Sequence, residues 1–138
     1  MDGELEYPTV MLDELTNIGS GLLKTDSLVD NYGNNYNYAV CNNFHNQEGR
    51  YLLNMKYSRF RATLYVPNGY SIDDTYYLTI AADGKNIFKS PEMSKTSAPV
   101  NIDIDITRCN DIQILFNDSA YSVNFIGYIC LGNAGFYQ

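Results

Sequence analysis

Val100-Asn101-Ile102-Asp103-Ile104-Asp105-Ile106-Thr107 alternates apolar and polar residues without a break. Successive side chains of a strand point to opposite faces, so this register sends Ile102, Ile104 and Ile106 into a core and leaves Asp103 and Asp105 in water. A slip by one residue would bury both carboxylates at several kcal/mol each, which makes the register strongly specified. The same period recurs upstream, where Phe60, Ala62, Leu64 and Val66 alternate with Arg59, Arg61, Thr63 and Tyr65. It recurs again at Ile112, Ile114 and Phe116, and at Leu78, Ile80 and Ala82. Asp83-Gly84 then supplies residues that accept positive φ, so 76–89 reads as a hairpin. Further strands are expected at 38–44, 51–55 and 124–131, with a shorter one near 22–24. Only 9–18 suggests a helix, of barely two turns, before Gly19 and Gly21 interrupt it. The expected architecture is all-β: a jelly-roll β-sandwich of eight or nine mostly antiparallel strands.

At 138 residues the chain suits one domain, 1–138, with 1–21 as an N-terminal extension or short helix packed on it. Nine Lys and Arg against sixteen Asp and Glu leave a net charge of −7, a field that repels phosphate backbones and anionic lipid headgroups. Nucleic acid is therefore excluded as a partner. Direct membrane insertion is excluded as well, because the apolar runs are far shorter than the roughly 20 residues a spanning helix needs. Cys41, Cys109 and Cys130 are odd in number and lack a CxxC spacing, so free structural thiols are expected. Thirteen Tyr and no Trp, with many Asn, Asp and Gly, fit a loop-rich β domain.

Four pieces in order carry a resemblance: Leu12-Asp13-Glu14-Leu15; residues 51–60 with their Lys56-Tyr57-Ser58-Arg59-Phe60 corner; the Asp83-Gly84-Lys85 turn followed by Phe88-Lys89-Ser90; and the strand Ile102 to Thr107. In this order and spacing the chain resembles the NPCBM family of bacterial carbohydrate-binding modules, whose members have a galactose-binding-domain-like jelly roll. The resemblance implies a non-catalytic accessory module of a larger bacterial protein, placed outside the cell or on its surface. A glycan or cell-surface polysaccharide is the implied partner. The alternative is a structural or protein-interaction domain of the same fold that binds no sugar. Members attached to glycoside hydrolases often carry a Gly-rich, His-Ala stretch before the corner, and here Phe44-His45-Asn46 stands in its place.

If consecutive strands run antiparallel, the loops 45–50, 67–74, 90–99 and 118–123 share one end of the sandwich. The tight links 56–58, 83–84 and 108–111 share the other end with the loop Asp30-Asn31-Tyr32-Gly33-Asn34-Asn35-Tyr36-Asn37-Tyr38. Longer loops on a rigid scaffold gather binding residues, and this end holds His45, Asn46, Arg50, Tyr70, Asp73, Asp74 and Tyr121. Sugar recognition needs planar polar groups for hydroxyl pairs and an aromatic face for the C–H patch of the ring, so His45, Arg50, Tyr70 and Tyr121 are the candidate ligand-binding residues. Each has a plainer alternative: a turn histidine, an ion-paired arginine, loop-packing tyrosines. Asp30, Asn31 and Asn34, with Asn35, offer oxygen ligands for a structural calcium, or equally a set of Asx turns without metal. No cofactor is required. No GxSxG, HExxH or phosphate-cradling loop is present, and the single histidine bars any site needing two, so no catalysis is expected.

Overall fold

A computed structural model of the chain describes residues 8–16, 18–19, 22–42, 47–69, 75–118 and 129–138. These form ten strands: β1 Val10–Met11, β2 Leu23–Lys24, β3 Ala39–Cys41, β4 Gln47–Leu52, β5 Arg59–Tyr65, β6 Tyr76–Ala82, β7 Lys85–Lys89, β8 Val100–Asp105, β9 Asp111–Asp118 and β10 Cys130–Tyr137. One sheet runs β2-β3-β10-β5-β8, with β1 added to the far part of β10, and the second runs β4-β9-β6-β7. Every pairing is antiparallel. The two inner faces make the core: Phe60, Leu64, Phe136 and Leu131 from one sheet meet Leu78, Ile80, Ile112, Ile114 and Phe116 from the other, all fully buried. This is the all-β sandwich that the alternation predicts.

β8 has the expected register. Ile102 and Ile106 are buried and Ile104 is half-buried, while Asp103 and Asp105 are exposed. Three elements differ from expectation. In place of a helix over 9–18, β1 pairs Val10 with Phe136 and Met11 with Gly135, and a single 3-10 turn, Leu12–Glu14, follows. The Glu14 carboxylate accepts the Met11 N–H at 2.7 Å, and Leu12 is fully buried. β4 begins at Gln47 and ends at Leu52, because Asn54 and Met55 take φ of 53° and 60° and cannot continue a strand. Of the strand expected over 124–131, residues 124–128 lie outside the described residues, and β10 takes up Cys130 and Leu131 and runs on to Tyr137. Its glycines serve close approach rather than termination. A Cβ on Gly132 would lie 2.4 Å from the Tyr36 ring, and one on Gly135 2.5 Å from Pro8.

The ends sort largely as alternation requires. Cys130, Cys41, Tyr65 and Val100 lie at one end of the larger sheet, so the segments after Cys41 and Tyr65 and those before Val100 and Cys130 leave from it. At the other end Asp83 Oδ1 accepts the N–H groups of Asn110 and Asp111, and Met55 N–H bonds to Cys109 O, tying the three tight links together. One assignment is corrected. The loop 30–38 belongs partly to the long-loop end, because β2 does not hand directly to β3. Residues 25–37 instead fold back along the outside of the sheet, where Asp30 bridges to Pro67 and Asn31 N–H bonds to Val66 O.

Candidate functional site

Asp30 anchors that excursion. Fully buried, its carboxylate accepts the N–H groups of Tyr32 and Asn34 on Oδ1 and Asn34 Nδ2 and the Tyr36 hydroxyl on Oδ2, at 2.7 to 3.0 Å. Burial pushes this carboxyl up, and the hydrogen bonds from Tyr36, Asn34 and Tyr32 outweigh it and hold it below the ordinary range. Four donors occupy the lone-pair sites a cation would use. Asp30, Asn31 and Asn34 therefore do not fit a calcium site as they stand; they form the Asx-turn arrangement. Among the described residues no group of three or more His, Cys, Asp or Glu could hold a metal.

The turn places Tyr32 and Asn31 at the long-loop end. Asn31 Nδ2 donates to Lys95 O and Ser97 O, and the Tyr32 hydroxyl donates to Thr96 O at 3.2 Å. Tyr32 thereby bridges to the segment before β8 while remaining 60% exposed. An aromatic ring is thus tethered at its hydroxyl and open to water, on the turn whose Asp30 bridges to Pro67. Loop parity missed Tyr32. The signal that could have found it is the Asx-rich composition of 30–37, which lets the chain reverse twice.

Of the residues the sequence nominated, His45, Tyr70 and Tyr121 lie outside the described residues, as do Asn46, Asp73 and Asp74. Arg50 does not sit in a loop. It lies on β4 opposite Gln113, and its Nε and Nη2 donate to Asp111 Oδ2 at 2.9 and 2.5 Å. Asp111 belongs to the tight-link end, so this guanidinium is directed away from the long loops. Hydrogen bonding to Asp111, then its charge, raises the Arg50 pKa. The long side chain reaches along the strand to the nearest carboxylate, the plainer reading of this residue.

A second polar feature lies on the outer face of the larger sheet. Arg59 Nε donates to Asp103 Oδ1 at 2.7 Å, and Arg61 Nε lies 3.4 Å from the same oxygen. Burial alone would raise the Asp103 carboxyl, but the Arg59 hydrogen bond and the two guanidinium charges hold it low. The Arg61 guanidinium also lies 4.7 Å from the centre of the Tyr137 ring. Among the described residues no helix is long and apolar enough to cross a membrane.

The protein has solved structural relatives of the same fold. It aligns with a CBM51 module of a Clostridium perfringens GH95 enzyme, in complex with methyl-galactose, at TM-score 0.68 and 16% identity, over 96% of this chain and 95% of that one. It aligns with the tandem CBM51 modules of a family 98 glycoside hydrolase from Streptococcus pneumoniae at TM-score 0.69 and 14% identity, over 98% of this chain and 45% of that one. A third relative, the M60 catalytic domain with two CBM51 domains of Clostridium perfringens ZmpB, aligns at TM-score 0.69 and 20% identity over 96% of this chain, which spans 14% of that one. At these identities the likeness shows the fold. No curated protein matches the chain in sequence. The NPCBM/NEW2 domain model matches residues 45–126, more than half of the sequence, and the chain belongs to the NPCBM/NEW2 domain family.

Proposed function

We propose that the chain is a non-catalytic carbohydrate-binding module whose saccharide site is the long-loop end, and that it serves as an accessory domain of a larger bacterial surface or secreted protein. The exposed, tethered ring of Tyr32 carries this reading. An aromatic face held from one edge offers the C–H surface of a sugar a platform at little cost in side-chain entropy. The segments that leave the described chain at Asn42, Gly69 and Asp118 and return at Gln47, Thr75 and Ile129 all attach at this end. His45, Tyr70 and Tyr121 belong to those segments and complete the proposed ligand set. Arg50 is left to Asp111. The accessory role draws support from the relatives, which include modules within much longer bacterial chains.

The test is a glycan array followed by calorimetry with methyl-galactoside and N-acetylglucosamine, the sugars present in two structural relatives. Saturable binding is expected, weakened about three- to tenfold by Tyr32→Ala with the melting temperature unchanged, since an aromatic contact is worth roughly 0.5–1.5 kcal/mol. If no saccharide on a broad array binds the parent protein, the reading fails. A protein-contact role for the same fold then takes its place.

A further inference from the structure

Beside Arg61 and Asp103 the outer face of the larger sheet opens into a groove of about 360 Å³, bordered by Thr63, Asn101, Asn133 and Tyr137. This volume lies at the lower end of small-ligand sites. We propose that the groove is a second saccharide site, separate from the long-loop end, and that it takes a neutral pyranose.

The backbone shapes the groove. Between Gly132, paired with Thr63, and Gly135, paired with Arg61, β10 carries one more residue than β5, and Asn133 at this bulge has φ of 52°. A bulge re-aims the side chain it carries, and here it sets an exposed asparagine against the groove. Asn133 is held from both directions. Its N–H donates to Tyr38 O at 2.7 Å, and its Oδ1 accepts the Asn37 N–H at 3.0 Å. A backbone N–H can only donate, so the amide orientation is settled and Nδ2 is presented as a donor with no partner among the described residues. Asn101, across the groove on β8, has its side-chain amide 3.2 Å from the Thr63 hydroxyl, a group that both donates and accepts, so one further amide atom of Asn101 is left without a partner among the described residues.

Asp103 supplies the acceptor. Both guanidinium contacts fall on Oδ1, so Oδ2 has no partner among the described residues. The Asn133 amide donor, the Asn101 amide and a carboxylate oxygen together match vicinal hydroxyls, which donate and accept at once. Tyr137, half-buried, borders the groove with the Arg61 guanidinium over its ring.

Charge selects the class of sugar. On this face Arg59 and Arg61 stand against Asp103 and Asp105, and both arginines already engage Asp103. An acidic saccharide would find no uncommitted cation here and would meet the field of a protein of net charge −7. A neutral ring incurs neither penalty.

The inference rests on the carbohydrate-binding reading above but on different residues, which lets the two fail separately. Nitrogen-15-labelled protein is titrated with methyl-galactoside, N-acetylglucosamine and glucuronate while the side-chain amides of Asn101 and Asn133 and the backbone of Tyr32 are followed by NMR. The expected result is saturable shifts of both amides with a neutral sugar, weaker with glucuronate. Asn101→Ala should weaken that site about five- to tenfold through the lost hydrogen bond and leave the Tyr32 response intact. Asn133→Gly should do the same; glycine keeps the positive φ, so this variant should stay folded. Shifts at Tyr32 alone overturn the groove proposal and leave the module reading standing, whereas shifts at neither place overturn both. Tighter binding of glucuronate overturns the assignment to a neutral sugar.

Discussion

The outer face of the larger sheet has two halves with opposite fates. Toward the long-loop end it is covered: Ala39, Cys41, Tyr65 and Cys130 are buried beneath Leu28 and Tyr36, with Tyr36 stacked on Tyr65 at 4.2 Å and 3°. Toward β8 and the tight-link end it is open, with Arg59, Arg61, Thr63, Asn101 and Asp103 in water or half-buried. The same strands cross both halves, and the same alternation sends these residues outward. What differs is the 25–37 excursion, pinned by Asp30. The comparison shows that strand period decides which side chains leave the core, and that a separate piece of chain decides whether they remain in solvent.

The largest way to break the contrast is Asp30→Ala. It strips the acceptor from two backbone N–H groups, the Asn34 amide and the Tyr36 hydroxyl, and we expect a loss of about 2–4 kcal/mol by denaturant unfolding. The pH dependence has a definite sign. The folded Asp30 pKa is depressed, so its contribution is present above the ordinary carboxylate pKa of about 3.9 and is lost as pH falls through the lower folded value. The stability gap between the parent and Asp30→Asn should therefore be full at neutral pH and shrink below about pH 4. A gap that widens in acid would refute the assignment.

Gly132→Ala attacks the cover from below, since its Cβ would come within 2.4 Å of the Tyr36 ring and 2.9 Å of Tyr65. Overpacking of this kind costs about 1–3 kcal/mol and should lift the excursion, visible as a changed tyrosine near-ultraviolet dichroism. Cysteine chemistry sharpens the same line between halves. Cys41 and Cys130 face each other across β3 and β10 as free thiols, and burial pushes Cys41 up to about 11 and Cys130 higher still. Thiolate is the reactive form, so in native protein a thiol reagent should modify half-buried Cys109 first. Under denaturing conditions three thiols should titrate, and Asp30→Ala should speed the modification of Cys41 and Cys130. The smallest effect is on the opposite sheet. Arg50→Ala removes a half-exposed ion pair with Asp111 and should cost no more than about 1 kcal/mol.

Strand identity was legible because burial acts on the period of two: β5, β8 and β9 lie where the alternating residues put them. β4 was misplaced at both ends, and β10 runs on past the expected Leu131 to Tyr137. Asn54 and Met55 look neutral in sequence, and their positive φ comes from the turn they make with Cys109 and Asn110. Gly132 and Gly135 look like breakers and prove to be contact points. Of the candidate site, Arg50 was legible as a residue able to bond hydroxyls, but Asp111 lies sixty-one positions away and its approach follows from the pairing of β4 with β9.

By itself the sequence determined the all-β class, the inward face of each long strand, the expectation of unpaired cysteines and the family, because hydrophobic period and local turn chemistry are written in consecutive residues. Only the tertiary structure decided that residues 25–37 double back to the long-loop end, that Tyr32 stands exposed there, and that Asn101, Asp103 and Asn133 border one groove. The reason is physical. Those placements depend on antiparallel pairing between strands far apart in the chain and on one bulge in β10, and neither leaves a local signature.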